Sequence, residues 1–351
     1  WRNNQEWLDA DEPFMFLSFA MEWADFVETN ANGQPFQSHF PCHVDATCSG
    51  LQHYSAMLRD SVGGRSVNLI PGLPRQDIYQ DVADVTKELM LADGTPEAHL
   101  WVKFGIDRKM TKRQTMVIPY AGKFSSCMEY TQEGYDDKLK AGHQRMWDKS
   151  KDKEMVIMLA RYIWQAIDQV VVKGKVAMDW LSSVAREWTK YHNKLECQGY
   201  DKRMSWVTPD GFQVVQYRAG QKKNRQNTYM NGRVNLTYYA ETAKLDSKDM
   251  ALSVAPNFVH SLDATHLRMA VNRGTQEGIS SFAMIHDSFG VHAAHMPTFI
   301  ERCVKPSFVE MYVNSDPLSD LYQSLPFSHD LYPDKGDLDI SGVLDSEFFF
   351  S

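Results

Sequence analysis

The chain has 351 residues, 43% of them hydrophobic and 23% charged, with a formal net charge of −8. This is ordinary for a globular protein of about two domains, ample to bury a core without staples, and no apolar run approaches the ~20 residues that span a bilayer. Five cysteines at irregular spacing (Cys42, Cys48, Cys127, Cys197, Cys303) argue for a reducing compartment and against a disulfide framework, and no signal peptide opens the chain.

The opening, "WRNNQEWLDADEPFMFLSFAMEWADF", starts on Trp1 and reads as a helix already under way, which predicts that something upstream is missing. Apolar spacing from Phe14 to Phe26 predicts a buried helix. "GQPFQSHFPCHVDA" is extended, since Pro35 and Pro41 discourage helix. "SGLQHYSAMLRD" predicts a short helix, and "RQDIYQDVADVTKELML" a longer one with Ile78, Val82, Val85 and Leu89 on one face. Another helix is expected from Asp107 until Pro119 stops it. Glu154 to Trp188 predicts two helices broken near Gly174. In "MSWVTPDGFQVVQYR", Pro209-Asp210-Gly211 between β-rich runs signals a hairpin. A polar, basic loop follows to about Asp249, then a helix beginning after Pro256. "FAMIHDSFGVH" predicts a second hairpin with His286 and Asp287 at its turn. Helices outnumber antiparallel strands, so the expected class is α+β.

The net charge disfavours a nucleic-acid binder, but it is unevenly spread. Between Lys103 and Lys123 six basic residues face one acid, and from Gly211 to Ala240 five basic residues face none. Such patches attract phosphate even on an acidic protein, although solvated faces have the same composition.

Asp45 ends one predicted strand and Asp287 sits at a hairpin turn. Singly, each suits a turn cap. Together at the tips of adjacent strands, they would make a divalent-cation site of the hard-oxygen kind that Mg²⁺ prefers. Arg108, Lys112, Met116 and Tyr120 recur every four residues as a stripe along one helix, with Arg113 beside Lys112. A guanidinium and an ammonium one turn apart can grip a triphosphate, and the tyrosine can stack on a base or sense a sugar. Cys42, His43, Cys48 and His53 lack a usual structural zinc spacing. His260 and His266 stand six apart, which is not a helical metal pair.

Assembled in order, these segments resemble the single-subunit RNA polymerases of bacteriophages and mitochondria. "DATCSGLQHYSAMLRDSVGGRSVNL" is similar to the first palm motif of that family and "RKMTKRQTMVIPY" to its fingers helix. "WVTPDGF" and "APNFVHSLDATHLR" resemble two further blocks, and "IHDSFG" the second palm motif. The resemblance implies a right-hand polymerase fold, with a small antiparallel palm sheet and mainly helical fingers. The N-terminal domain and thumb would be absent from this chain. Residues 1–105 would be the first part of the palm, 106–200 the fingers, 201–250 the hairpin and basic DNA-contacting loop, and 251–351 the rest of the palm and a C-terminal foot.

The resemblance also implies roles. Asp45 and Asp287 would bind two Mg²⁺ ions, with the Ala46 carbonyl as a further ligand. Arg108, Lys112 and Arg113 would hold the incoming triphosphate beside Met116, Lys112 assisting pyrophosphate departure. Tyr120 and His260 would recognise the ribose 2′-hydroxyl, His286 would support the catalytic aspartate, and Tyr79 would lie near the template base. A basic hairpin from about Lys222 to Thr237, with Lys222, Lys223, Arg225 and Asn227, would contact promoter DNA, Arg reading guanine and Asn adenine. Implied partners are template DNA, nascent RNA and NTPs. A second polypeptide would supply the absent parts, a recruitment factor is a further candidate partner, and no membrane is involved. The expected compartment is the cytoplasm of a phage-infected host rather than the mitochondrial matrix.

The chain departs from the family pattern in several places. Ala46 stands where Gly is usual. Pro119-Tyr120-Ala121-Gly122 replaces a Tyr-Gly ending, and Pro119 is expected to remove a helix hydrogen bond. The chain ends Phe-Phe-Phe-Ser. The alternatives are a related DNA polymerase, disfavoured by "SGLQH" and "HDS", and a non-catalytic DNA-binding subunit, disfavoured by intact Asp45, Asp287, Lys112 and Tyr120.

Overall fold

The computed structural model describes residues 5–194, 202–230, 232–329 and 332–351, so Cys197 and the first four residues lie outside it. Helices dominate, joined by three small antiparallel sheets, in agreement with the α+β expectation. The strands are β1 (Pro41–Asp45), β2 (Met204–Val207), β3 (Gln213–Gln216), β4 (Ala219–Tyr229), β5 (Arg233–Leu245), β6 (Ala283–Ile285) and β7 (Ser288–His292). β1, β7 and β6 form one sheet in that order, β2 pairs with β3, and β4 with β5.

Among the described residues one cluster of buried side chains runs from Cys48 to Phe350, so the C-terminus shares a core with the segment that follows β1. The helix Ser49–Met57 is buried along its whole length. It packs against the helices Val172–Lys194 and Ser247–Gln276, which lie side by side. The Ile78–Asp93 helix is capped by Asp77, whose carboxylate accepts from the Tyr79 amide at 3.0 Å. Asp107 caps the helix Arg108–Met116 in the same way, at 3.1 and 3.2 Å. Each cap satisfies amides that the first helical turn leaves without partners.

Four expectations are corrected. The first helix forms at Pro13–Ala31, but none of its residues is buried: Phe14 is 79% exposed and Trp23 56%. The helix is met by the short 3₁₀ turn Glu6–Asp9, through Trp7 on Phe14, and by segment 36–40, through Phe26 on Phe36 and Phe19 on Phe40. The segment that reads as a polar, basic loop from its residues is a two-stranded ribbon, β4–β5, as the hairpin implied by the resemblance has it. Periodicity hides it because polar residues occupy both faces. The last long helix begins at Ser247 rather than after Pro256, since Asp246 caps it. Pro256 lies within it, where its missing N–H removes only the bond to the Leu252 carbonyl. Finally, Pro119 costs no helical bond. The helix has already ended at Met116, and Pro119 opens a 3₁₀ turn, Ile118–Tyr120, where an N–H is not needed.

Candidate active site

The site is built on the β1–β7–β6 sheet. Asp45, the last residue of β1, pairs with Ser288, the first of β7, so Asp287 in the preceding turn lies beside it. The turn joins Ile285 to Ser288 through only His286 and Asp287. Its first position carries His286 at φ +52°, the left-handed conformation such turns usually give to glycine or asparagine. Holding a histidine there costs about 1 kcal/mol, strain of the kind that collects at functional sites.

The Asp45 carboxyl is pushed above its ordinary range by partial burial and by the Asp287 charge, with Lys112 pulling the other way. Its side chain accepts a hydrogen bond from the Ala46 amide at 3.1 Å. Its main chain is held by Ser351, at 3.1 and 3.4 Å, across an Ala46–Phe350 bridge. That bridge is closed by Asp45 and Ser351, which leaves the Ala46 carbonyl out of the ladder. Asp45, Ala46 and Asp287 fit a divalent cation: like-charged carboxylates converge there, and neither has an ion-pair partner among the described residues. The described residues contain no cluster of three or more His, Cys, Asp or Glu able to hold a metal by themselves, so water or substrate oxygens would have to complete the coordination.

These groups open into a cleft of about 490 Å³. Arg108, Lys112 and Met116 of the helix line it, with Tyr120 of the 3₁₀ turn that follows, as do Tyr79, His260 and His286. Arg108 is paired with Asp77 and lies 5.2 Å above the Tyr79 ring. Tyr79 is buried and donates its hydroxyl hydrogen to the Thr47 carbonyl at 3.1 Å. Lys112 has no ion-pair partner among the described residues and faces the acidic wall. Tyr120 stacks on His260, ring centroids 4.5 Å apart and planes at 22°. Burial lowers the His260 pKa and raises that of Tyr120, so both are neutral near pH 7. Gly50 permits this arrangement: a Cβ there would lie 2.7 Å from Pro119 and 3.3 Å from the Tyr120 hydroxyl.

Arg113 is not brought into the cleft. It pairs with Glu133, because adjacent helical residues point about 100° apart. Lys222, Lys223, Arg225 and Asn227 also lie elsewhere, on the ribbon. Alternation there puts Lys223, Arg225 and Asn227 on one face, opposite Tyr239, Thr237 and Asn235. Lys222 is on the other face, with Tyr238, Leu236 and Val234. Sequence reasoning missed Asp263, Arg75 and Ser351, all of which line the cleft. Asp263 carried a signal, lying three residues from both His260 and His266 on a helix. Ser351 carried none.

A family model described as DNA-dependent RNA polymerase matches residues 1–330. The DNA-directed RNA polymerase of Enterobacteria phage K11 is 34% identical over 99% of this chain and 43% of its own length. T7 RNA polymerase of Escherichia phage T7 is 32% identical over 99% of this chain and 44% of its own. The chloroplastic/mitochondrial DNA-directed RNA polymerase 2 of Arabidopsis thaliana is 28% identical over 98% of this chain and 33% of its own. The chain thus spans less than half the length of these curated relatives.

Proposed function

As a chain that belongs to the DNA-dependent RNA polymerase family, we propose that this protein carries the palm and fingers of a polymerase that copies DNA into RNA. The observation that carries the reading is one cleft with two convergent carboxylates, Asp45 and Asp287, on one wall and a Lys112–Tyr120 stripe on the other. In this proposal residues 1–105 and 251–351 form the palm, 106–200 the fingers, and 201–250 the hairpin and the DNA-contacting ribbon.

Two Mg²⁺ ions held by Asp45, Asp287 and the Ala46 carbonyl would supply positive charge to lower the pKa of the RNA 3′-hydroxyl and to balance the leaving pyrophosphate. This chain's own residues do the rest. Arg108 and Lys112 hold the triphosphate, and Lys112 can give a proton or its charge to the departing pyrophosphate. Tyr120 and His260 read the ribose 2′-hydroxyl, the group that separates RNA from DNA precursors. His286, beside Asp287 in a strained turn, keeps the carboxylate in place. Arg113 joins the triphosphate only by leaving Glu133, and Tyr79 serves from below the surface as a floor for the template base. Lys223, Arg225 and Asn227 on the polar face of the ribbon contact DNA.

The relatives are matched as single chains, which gives no support to a separate second polypeptide. The more similar ones are phage proteins, which favours the cytoplasm of an infected host. Among the described residues no single helix is long and apolar enough to cross a membrane. The test is DNA-templated extension of an RNA primer by the polymerase containing this chain. Incorporation of rNTPs in preference to dNTPs is expected, and preference for dNTPs would favour the DNA polymerase alternative.

A further inference from the structure

Beside Asp77, which pairs with Arg108, the cleft holds a second carboxylate that has no part in the chemistry above. Asp263, on the Ser247–Gln276 helix, is 9% exposed, and it lines the cleft with Tyr120 and His260. Keeping such a group ionised is costly unless it is paired. Its partner is His53, fully buried on the Ser49–Met57 helix, with Nε2 3.5 Å from Oδ1. His53 Nδ1 lies 2.6 Å from the Tyr312 hydroxyl. Burial holds the Tyr312 proton on its oxygen. The tautomer assigned from this network therefore has Tyr312 donating to Nδ1 and Nε2–H donating to Asp263.

Two further imidazoles flank the carboxylate, since His260 and His266 each lie three residues away along the helix. Burial would raise the Asp263 carboxyl, but the His53 hydrogen bond and the three imidazoles hold it below the ordinary range. His266 is occupied elsewhere, bonded to the Val304 carbonyl at 2.8 Å. His260 is the one that faces the cleft, and Asp263 is the strongest charge acting on it. A buried chain of hydrogen bonds thus ends in an anion behind the Tyr120–His260 stack.

We propose that Asp263, anchored by His53 and Tyr312, is a positioning residue for sugar recognition: it orients His260 against Tyr120 so that the pair reads the ribose of an incoming ribonucleoside triphosphate. This rests on the polymerase reading above. It acts through His260 and takes no proton from the substrate. In this proposal the Asp263 charge, one helical turn away, biases the imidazole while the Tyr120 ring stacks on its face. The nearest analogue, the outer partner of a metal-ligating histidine, typically costs 10–100-fold when removed.

The test uses the natural polymerase containing this chain, with kcat and KM for rNTP and dNTP measured separately. Wild type is measured first: if it makes no nucleic acid or prefers neither sugar, the polymerase reading fails and this inference falls with it. Asp263→Asn keeps the shape and removes the charge. The expected result is a loss of rNTP kcat/KM of roughly tenfold with dNTP use changed less than about twofold. Tyr312→Phe, which removes only the far hydroxyl, should move the ratio in the same direction by less. An equal loss for both sugars in both variants would make the chain merely structural and overturn the proposal. So would an unchanged ratio with a shifted Mg²⁺ requirement, which would make Asp263 a metal ligand.

Discussion

The ring of Tyr120 lies against the ring of His260, centroids 4.5 Å apart, joining the 3₁₀ turn after the basic helix to the long Ser247–Gln276 helix at the cleft. Neither ring is fully buried, so the pair has one face for the protein and one for a ligand. A site that hydrogen-bonds a substrate hydroxyl rejects analogues lacking it, because its own polar group is then left unpaired. Tyr120→Phe is expected to keep the stack and lose that penalty. The ratio of rNTP to dNTP incorporation should fall by about tenfold or more, with rNTP addition nearly intact. Steady-state incorporation of each sugar checks this.

The ribbon offers a contrast between neighbours. Lys223 and Arg225 share its polar face, whereas Lys222 points to the side of Leu236 and Val234. Each phosphate contact adds about one unit to the dependence of binding on salt. Arg225→Ala or Lys223→Ala should lower that slope by about one for duplex DNA, and Lys222→Ala should change it much less. Binding titrations across a range of salt concentrations measure all three.

Ala121 follows Tyr120 at φ +61°, a left-handed conformation that strains any residue with a Cβ. Glycine there would relieve the strain but add freedom to the unfolded chain. Ala121→Gly should therefore raise stability by about 0.5 kcal/mol, measured by urea denaturation.

Asp210, in the β2–β3 turn, accepts hydrogen bonds from Arg268, Thr208 and Thr265. Burial opposes ionisation, but these partners win and hold its carboxyl at about 2. A depressed folded pKa contributes stability above the unfolded value and loses it as pH falls through the folded one. Asp210→Asn should thus cost about 1–2 kcal/mol at pH 7, discounted for solvent screening. The difference from wild type should shrink between about pH 4 and pH 2. Denaturation at both ends of that window checks it.

Much of the site was legible because its residues sit at structural punctuation. Asp45 ends a strand, Asp287 occupies a two-residue turn, and Arg108, Lys112 and Met116 recur at helical spacing, so local rules bring them to one cleft. Tyr120 reaches it from the 3₁₀ turn after the helix rather than from the helix itself. Arg113 was misjudged since adjacency in sequence is not adjacency on a helix, and Glu133 was there to take it. Asp263 looked like one more polar helical residue, because only His53, far away in sequence, makes it a buried anion. The Pro13–Ala31 helix was legible as a helix but not as an exposed one, since periodicity says nothing of what packs against a face. Pro256 misled for a related reason: the start of its helix is fixed ten residues earlier by the Asp246 cap, and the proline lies inside it.

In the proposed reaction Asp45 and Asp287 together form the metal-dependent centre of nucleotide addition. The most direct measurement compares single-nucleotide addition and template binding for wild type, Asp45→Ala and Asp287→Ala in the natural polymerase with Mg²⁺. Each variant is predicted to lose addition by about a thousandfold or more while binding template within about twofold of wild type. Retained synthesis in either variant would contradict the two-carboxylate centre.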